Sequence, residues 1–412
     1  MVRILLSDVG PDGTEDLAAY RARGGYEALR QAVGGRSPAE ILALVEAAGL
    51  RGRGGAAFPT ARKWALAAGR TAPRKYVVAN GGEHEPGSDK DKVLVTRHPH
   101  AVLEGMALCA FATGASEGVL YLIEDMAAPI ASAERAIAEA RAAGLLGADV
   151  LGSGFSFDVR IARGPTTYVA GEETAALDAI EGGAGKPRRK PPYPGEAGLG
   201  GMPTTVNNVE TLAHVPWIVR HGSAAFAAIG TAESKGTLLF TLGREVRRPG
   251  VYEMPFGTTY RALIEECGGG IADGRAVRAV LPAMSCGFLP AAHLDVPIGY
   301  ETLKPLGTSP GCGGVRIVCE GDDPVALVLE VAQFFMREQC GQCPPCRMET
   351  NQFVHVLQGV LAGKGPGYAE KLHKVADFAR GKGLCSLIEM AAAPVLSALT
   401  VFADDFARRA GG

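Results

Sequence analysis

The stretch "CGQCPPC" places three cysteines at two-residue gaps, Cys340, Cys343 and Cys346. Structural zinc usually takes two C-x2-C pairs that are separated by a longer loop. Three thiolates at consecutive two-residue gaps instead suit three corners of an iron–sulfur cubane, whose fourth ligand comes from elsewhere in the chain. The spacing therefore predicts a [4Fe–4S] cluster, and structural zinc or free thiols are the alternative.

The fourth ligand is predicted to be Cys385. It follows a glycine-rich turn in "GKGLCSLIEM" and stands at the start of the last predicted helix, where the turn can swing it inward. Cys109 lies in an apolar helical pattern and is predicted to be a core residue, as free cysteines commonly are. The nine cysteines are an odd number without extracellular spacing, which favours thiol or metal chemistry over a disulfide framework.

Composition limits the class of protein. The net charge of -2 provides no basic field that would recruit nucleic acid or anionic lipid. No apolar stretch reaches the roughly 18 residues that a membrane span needs. The start of the chain, "MVRILLSDVG", runs from a short apolar stretch straight into an acidic residue, unlike a signal peptide. We expect a cytoplasmic protein, either free or docked at the periphery of a larger complex.

The chain divides into three patterns. Residues 1–225 alternate between strands ("KYVVAN", "GVLYLIED", "FSFDVRIA") and helices, which predicts a layered α/β domain. Residues 235–320 contain two strands joined at a turn and then a helix that Thr258 or Thr259 could cap, a β-grasp-like unit. Residues 323–412 read as a helical bundle that carries the cysteine motif, and its first helix is capped by Asp323.

A glycine-rich loop, "GLRGRGGAAFPTARKW", precedes the first predicted strand. It formally contains G-x-G-x-x-A, but it follows a helix rather than a strand, so it fails the context of the dinucleotide-binding fingerprint. Its bare backbone could still cradle a phosphate, with Lys63 as a counter-charge. An ordinary glycine turn is the alternative.

Two acidic pairs follow predicted strands. Glu83 and Glu85 lie where ligand-binding loops of open α/β sheets usually lie. Glu172 and Glu173 begin a helix, where the helix dipole favours carboxylates, so capping alone could explain them.

The loop "GKPRRKPPYP" is basic and stiffened by proline. Lys190 could hold a pyrophosphate and Tyr193 could stack on a ring. The alternative is a solvated surface run.

Taken in order, these motifs resemble the NADH-binding flavoprotein (51 kDa, F-type) subunit of respiratory complex I and its relatives in NAD-reducing hydrogenases and NAD-linked formate dehydrogenases. The resemblance extends from "RARGGYEALR" through "GRGGAAFPT", "GEETA", "KPPYP", "TTVNNVETL" and "CGQCPPC" to "LCSLIEMAAAPV". It implies a Rossmann-like α/β domain that binds FMN and NADH, an SLBB β-grasp domain, and a helical bundle that holds one [4Fe–4S] cluster.

The resemblance also implies roles for individual residues. The FMN site would comprise Gly52, Arg53, Gly54, Gly55, Lys63, Asn80, Glu83, Tyr168, Gly171, Glu172, Asn207 and Asn208. NADH would stack on the flavin with aromatic partners Phe58 and Tyr193 and polar partners Glu85, Glu173 and Lys190, among which Glu85 and Glu173 are the candidate catalytic residues. The cluster ligands would be Cys340, Cys343, Cys346 and Cys385.

The implied activity is that of an NADH dehydrogenase subunit, which passes electrons from NADH through FMN and a cluster to an iron–sulfur chain. The implied partners are a thioredoxin-like [2Fe–2S] subunit and a downstream iron–sulfur or ferredoxin protein. Two alternatives stay open: an NAD(P)H-dependent reductase for a ferredoxin or another oxidoreductase, and a relay or assembly subunit without nucleotide turnover.

The sequence departs from the family pattern at several positions. Gly82 stands where the family usually has an aspartate that contacts FMN, so we expect one flavin hydrogen bond to be lost. Ala57 replaces a glycine of the loop and would narrow the space above the flavin. Lys186 and Arg189 add positive charge, which leaves use of NADPH open. Further departures are Ala170 for cysteine and Tyr193 for phenylalanine.

Overall fold

Four parallel strands form the sheet of the first half of the chain. The computed structural model describes residues 3–6 and 13–411. The strands are β1 (Tyr76–Asn80), β2 (Glu117–Ile123), β3 (Asp158–Gly164) and β4 (Thr204–Asn208), in the order β3-β2-β1-β4. The three strands predicted from the sequence correspond to β1, β2 and β3. Parallel sheets need cover on both faces, and helices supply it here.

In the described part of the chain, ten α-helices accompany this sheet. Their bounds are α1 (Leu17–Ala22), α2 (Glu27–Gly35), α3 (Pro38–Ala47), α4 (Thr60–Ala68), α5 (Lys90–Arg97), α6 (Pro99–Thr113), α7 (Ala127–Ala142), α8 (Glu173–Ile180), α9 (Val209–His221) and α10 (Ser223–Ala227). Helix α3 begins with a capping box between Ser37 and Glu40. Helix α6 is buried on nearly every side and packs in the largest apolar core, which explains why its sequence shows no polar face.

The middle of the chain forms a mixed five-stranded sheet. Its strands are β5 (Thr237–Leu242), β6 (Gly250–Pro255), β7 (Val277–Leu281), β8 (Leu289–Pro290) and β9 (Gly314–Cys319), in the order β6-β5-β9-β7-β8. Its helices are α11 (Tyr260–Ala262), which continues as a π-helical turn, and α12 (Tyr300–Leu303). Of the two threonines considered as caps, Thr259 caps α11.

The last part of the chain is helical. It comprises α13 (Pro324–Glu338), α14 (Pro344–Leu361), α15 (Tyr368–Ala379), α16 (Leu387–Val401) and α17 (Ala403–Arg409). The Asp323 carboxylate accepts hydrogen bonds from the backbone N–H groups of Val325 and Ala326, so the predicted cap of α13 is confirmed. Among the described residues, no single helix is long and apolar enough to cross a bilayer; α16 and α17 reach that length only as a pair, which is bent by 88°.

The predicted fold class is confirmed: a layered α/β part, a β-grasp-type sheet and a helical bundle follow one another. The three parts are in direct contact. The Glu253 carboxylate of β6 accepts the N–H groups of Ile4, Leu5 and Leu6. Val169 and Ala175 of the first part pack in the same apolar core as the bundle helices. These contacts bring the loops at the end of the first sheet close to the cysteine motif.

Candidate functional site

The carboxyl ends of β1 and β4 border the candidate site, and the region beyond these two strand ends is called the crevice. From β1 the chain adds β2 and β3 on one side, whereas β4 pairs with the other side of β1, so the strand order reverses between β1 and β4. Asn80 and Asn208 are the last residues of these strands and pair in register. Ligands of open α/β sheets bind at such a topological switch point. The structure therefore places the candidate site between these two asparagines.

Hydrogen bonds of the asparagines shape this crevice. Asn80 donates from Nδ2 to the carbonyl of Gly171 at 2.8 Å and accepts from the N–H of Gly82 at 3.1 Å. Asn207 accepts from the indole N–H of Trp64 at 2.9 Å. Asn208 caps α9. The asparagines thus hold together the loops that follow β1, β3 and β4.

The glycine-rich loop lies against the end of β4. A hydrogen bond of 2.9 Å from the N–H of Gly52 to the carbonyl of Phe58 closes the loop. Gly54 lies beside the end of this strand: a Cβ atom added to it would make an ordinary van der Waals contact with the Cβ of Asn208, at 3.4 Å. Gly55 has φ +104° and faces the backbone of Cys312. Ala57 adopts φ +53°, a left-handed conformation that favours glycine.

Arg53 and Glu83 use their side chains inside the protein. The Arg53 guanidinium is buried and donates to the carbonyls of Arg51, Lys235 and Thr237, which ties the loop to the second sheet. The Glu83 carboxylate accepts from Ser88 and from the first N–H groups of α5. Both residues therefore support the crevice, and their charges are already engaged.

Four charged side chains form one cluster at the entrance of α8. Lys63 Nζ lies 2.7 Å from Glu173, and Lys190 Nζ lies 2.8 Å from Glu172 and 3.3 Å from Glu173. Burial alone would raise the pKa of Glu173, but the two ammonium groups lower it below its usual value. Glu172 also caps α8 by accepting from the N–H groups of Thr174 and Ala175, so the capping alternative holds for this residue.

Two aromatic rings border this charge cluster and face solvent. Phe58 is 46% exposed and Tyr193 is 51% exposed, and they are two of the three large apolar side chains that are exposed among the described residues. Lys63 Nζ lies 6.0 Å from the centroid of the Phe58 ring. Tyr193 follows Lys190 by three residues in the proline-stiffened loop. Exposed rings beside cations provide a surface on which a flat heterocycle can stack.

Glu85 lies in the loop that follows β1 and is partly buried beside Tyr168 and Met284. It accepts the N–H of Met284 at 2.5 Å and is hydrogen-bonded to the Tyr168 side chain. Burial raises the pKa of Glu85 to about 7, and these hydrogen bonds act in the opposite direction. Tyr168 itself packs edge-on against Phe334 and Phe335 of α13. One wall of the crevice is thereby fixed to the helical bundle.

The space beside Gly82 is filled by Tyr121. A Cβ atom added to Gly82 would stand 2.8 Å from the Tyr121 ring, and the buried Tyr121 hydroxyl has no hydrogen-bond partner within the described parts of the chain. The departure at Gly82 is thus accompanied by tight packing against an aromatic ring.

The predicted cluster cysteines border one cavity. Its lining is Val169, Gln339, Cys340, Gly341, Cys343, Cys346, Gly383, Leu384, Cys385, Leu387 and Ile388. Cys343 lies directly before α14, and Cys385 lies two residues before α16 begins. The backbone N–H of Leu384 donates to Cys343 Sγ at 3.3 Å.

This donor set fits a cubane, because four thiols surround one small enclosure and a backbone N–H points at one of the sulfurs. No group of three or more His, Cys, Asp or Glu residues in the described ranges has the geometry for a single metal ion. That finding is compatible with a cubane, whose four ligands bind four different irons. The remaining cysteines do not line this cavity.

Sequence reasoning missed three features of the site. Val169 lines the cysteine cavity although it lies close to Gly171 of the crevice. Gln342, inside the cysteine motif, reaches the loop that carries Lys190. Lys90 is buried with Asp91 and Glu210 and also contacts Asn208. The sequence signal for Gln342 was its place between two cysteines, whereas Lys90 gave none beyond an ordinary charged run.

Three family models match the chain. The Nuo51 FMN-binding domain matches residues 45–217, the SLBB domain matches residues 241–293, and the NADH-ubiquinone oxidoreductase-F iron–sulfur binding region matches residues 326–409. Each match covers one of the three parts of the structure.

Curated relatives and a solved structure are similar over nearly the whole chain. The second F-type NADH-quinone oxidoreductase subunit of Rhizobium meliloti is 43% identical over 98% of this chain and 96% of its own length. The HndC subunit of the NADP-reducing hydrogenase of Solidesulfovibrio fructosivorans is 38% identical over 97% of this chain and 81% of its own length. A crystal structure of an NAD+-reducing [NiFe]-hydrogenase in the H2-reduced state superimposes with a TM-score of 0.83 and 32% identity, covering 96% of this chain and 67% of that chain.

We predict that Ala57→Gly stabilises the protein. Glycine adopts φ +53° without the steric clash that the alanine Cβ atom causes there, so the free energy of unfolding should rise by about 1 kcal/mol. Urea unfolding followed by circular dichroism measures the change. Ala56→Gly is the matched control. It should lower stability, because the backbone of Ala56 is not in the left-handed region and glycine there only increases the chain entropy of the unfolded state. Equal effects of both substitutions would contradict the prediction.

We also predict a pH-dependent stability difference between the protein and Glu85→Gln. The folded-state pKa of Glu85, about 7, lies above its unfolded value, so its contribution to stability is present at low pH and is lost as pH rises through 7. From pH 5 to pH 8 the wild type should lose about 2 kcal/mol relative to the variant, less than full burial would give because the side chain is partly exposed. Urea unfolding at both pH values tests this, and parallel curves would refute it.

Proposed function

The chain belongs to the family of NADH-binding flavoprotein subunits, the F-type subunits of NADH-quinone oxidoreductases, and on that premise we propose how its residues serve the reaction. The resemblance drawn from the sequence is confirmed. The protein is an electron-transfer oxidoreductase subunit, an NADH dehydrogenase flavoprotein that uses FMN and one [4Fe–4S] cluster. Bound FMN would supply the chemistry that couples a two-electron hydride donor to a one-electron acceptor, and the residues named below would hold and orient it.

We propose that FMN occupies the crevice at the switch point. The close backbone approach at Gly171 supports this, since a Cβ atom added there would stand only 3.2 Å from the carbonyl oxygen of Gly82. The residues proposed to contact FMN are Gly52, Arg53, Gly54, Gly55, Lys63, Asn80, Glu83, Tyr168, Gly171, Glu172, Asn207 and Asn208. Arg53 would contribute by holding the loop in place, because both its guanidinium and its backbone N–H are hydrogen-bonded within the protein.

We propose that NADH lies on the solvent side of this crevice. Phe58 and Tyr193 would stack on its rings, and Lys190, Glu173 and Glu85 would hold its polar groups. The exposure of both rings beside the charge cluster supports this placement. In this arrangement Glu173 and Glu85 orient the nucleotide and need not transfer a proton, because the hydride carries both electrons.

One observation carries the assignment most directly. The turn Tyr168–Gly171 belongs to both sites: Val169 lines the cysteine cavity, and Gly171 accepts the hydrogen bond of Asn80 in the crevice. A flavin in the crevice and a cluster held by Cys340, Cys343, Cys346 and Cys385 would be separated by little more than this turn. Transfer of single electrons between two centres requires such proximity.

The setting of the protein is also a proposal. The similar proteins are named as subunits of a quinone oxidoreductase and of a hydrogenase, so we propose that this chain works in a heteromeric complex. Its partners would be a thioredoxin-like [2Fe–2S] subunit and a downstream iron–sulfur or ferredoxin protein, in the cytoplasm. The proposed domain limits are 1–225, 235–320 and 323–412.

A reductase that uses NADPH is the second candidate. Lys186 and Arg189 are exposed cations in the loop that carries Lys190, and they could contact a 2′-phosphate. One relative at 38% identity is named as part of an NADP-reducing hydrogenase. Dye reduction by the flavin-loaded protein with NADH and with NADPH separates the candidates, and turnover with neither nucleotide would favour a relay subunit.

We predict that Cys343→Ala abolishes the cluster and leaves the flavin. Anaerobically purified protein should contain about one FMN and about four irons per chain, as four-cysteine ligation implies. The variant should lose the iron while NADH still bleaches the flavin absorbance. Iron analysis and visible spectra measure both. Cys267→Ala is the matched control and should keep its iron, since Cys267 does not line the cavity; unchanged iron in Cys343→Ala would refute the ligand assignment.

We further predict that Lys190→Met weakens NADH binding. Loss of one charge-assisted contact should raise the KM for NADH about tenfold at unchanged FMN content. Stopped-flow flavin reduction measures this. Lys186→Met is the control in the same loop; it should leave the KM for NADH unchanged and raise only that for NADPH if the 2′-phosphate lies there. Equal effects of both substitutions on NADH would argue against a specific role for Lys190.

A further inference from the structure

Gln342 contacts both the cysteine motif and the loop that carries Lys190. Its Nε2 lies 3.0 Å from the carbonyl oxygen of Pro187 and 3.5 Å from Cys340 Sγ. Pro187 is 155 residues away in sequence and precedes Lys190 by three residues. Both partners are hydrogen-bond acceptors, so the side-chain amide must present its NH2 group to them, and its two N–H bonds can serve both at once.

The local backbone holds this side chain in place. Gly341 has φ +80°, which turns the chain back so that Gln342 can reach Cys340. The backbone N–H of Gly341 donates to the side-chain oxygen of Gln339 at 2.8 Å. On the other side, the loop is fixed beside Pro187 by Arg188, which pairs with Asp178 and Glu181 and donates its backbone N–H to Thr174 at 2.9 Å. The amide therefore spans two segments that are each anchored independently.

We propose that Gln342 is a positioning residue that connects the loop carrying Lys190 to the cluster ligand Cys340. Through this connection it raises the reduction potential of the cluster. The proposal rests on the proposed function, because it needs a cluster on these cysteines. A hydrogen bond to a thiolate sulfur stabilises negative charge on it, and the reduced cluster carries more negative charge than the oxidised one. The Gln342 amide therefore raises the potential, and the Pro187 carbonyl holds the amide in the orientation that does so.

The expected size follows from the strength of such a bond. A hydrogen bond to a charged group is stronger than one between neutral groups, and the exposure of Gln342 places its effect at the lower end of that class. Removing the donor should change the equilibrium constant for one-electron reduction about tenfold, which corresponds to a fall of about 59 mV. Weakening only the anchor at Pro187 should give a smaller change in the same direction.

The test is a redox titration of the purified protein, with the cluster followed by electron paramagnetic resonance. Gln342→Leu removes the hydrogen-bond donor and keeps a similar side-chain volume. It should lower the equilibrium constant for one-electron reduction of the cluster about tenfold. The matched control is Gln352→Leu, the same substitution at an exposed position of α14, which should leave the potential unchanged. Iron and FMN content are measured on each variant.

A double-variant cycle tests the connection to the loop. Arg188→Ala loosens the loop beside Pro187. It should lower the equilibrium constant for one-electron reduction of the cluster about threefold, which corresponds to a fall in potential of about 28 mV. In the Gln342→Leu background it should have no further effect, because the connection is already absent. A purely electrostatic effect of the lost guanidinium would persist in that background, so additive shifts overturn the proposal, and so does the absence of any shift in Arg188→Ala.

The outcomes separate this inference from the proposed function. A preparation without cluster signal or flavin would contradict the function itself. A cluster that titrates at the same potential in the wild type and in Gln342→Leu would contradict only the role of Gln342.

Discussion

The turn Tyr168–Gly171 is the constraint on which the arrangement of the site depends. Its backbone is fixed from two directions, because the N–H of Tyr168 donates to Glu338 at the end of α13 and the carbonyl of Gly171 accepts from Asn80 at the end of β1. Four residues of 3₁₀-helix thereby join the bundle to the crevice. The distance between the two sites is set by this short segment rather than by a flexible linker.

Local sequence patterns were sufficient for the elements of the fold. The cap at Asp323 and the strand patterns around β1, β2 and β3 depend on residues within a few positions of each other, and they appear in the structure where the sequence puts them. The cysteine spacing was equally local, and Cys385 could be found because its glycine-rich turn precedes a recognisable helix. It borders the same cavity as the other three cysteines.

The uses of individual charges could not be predicted in the same way. Arg53 and Glu83 resemble ligand-binding residues by position, but the structure shows the guanidinium bonded to carbonyls about 180 residues away and the carboxylate capping α5. The partners of Glu83 lie within nine residues of it, whereas those of Arg53 are brought together only by the tertiary fold. The contact between Gln342 and Pro187 is of the same kind, since no local signal in either segment points to the other.

Exposure divides the lysines of this site into two groups with different uses. Lys90 is 1% exposed and pairs with Asp91 and the fully buried Glu210. Breaking such a buried ion pair costs roughly 3–5 kcal/mol of folding stability. Lys90 therefore holds Asn208 and α9 in place and is not available to a ligand. Lys63 and Lys190 are 30% and 25% exposed. Partly solvated pairs of this kind are worth about 1 kcal/mol, so a phosphate can take the place of Glu172 or Glu173 at small cost. In the proposed complex, Lys90 would support the crevice while Lys63 and Lys190 would exchange a carboxylate for a phosphate, and the displaced carboxylates would be free to accept hydrogen bonds from ribose hydroxyls.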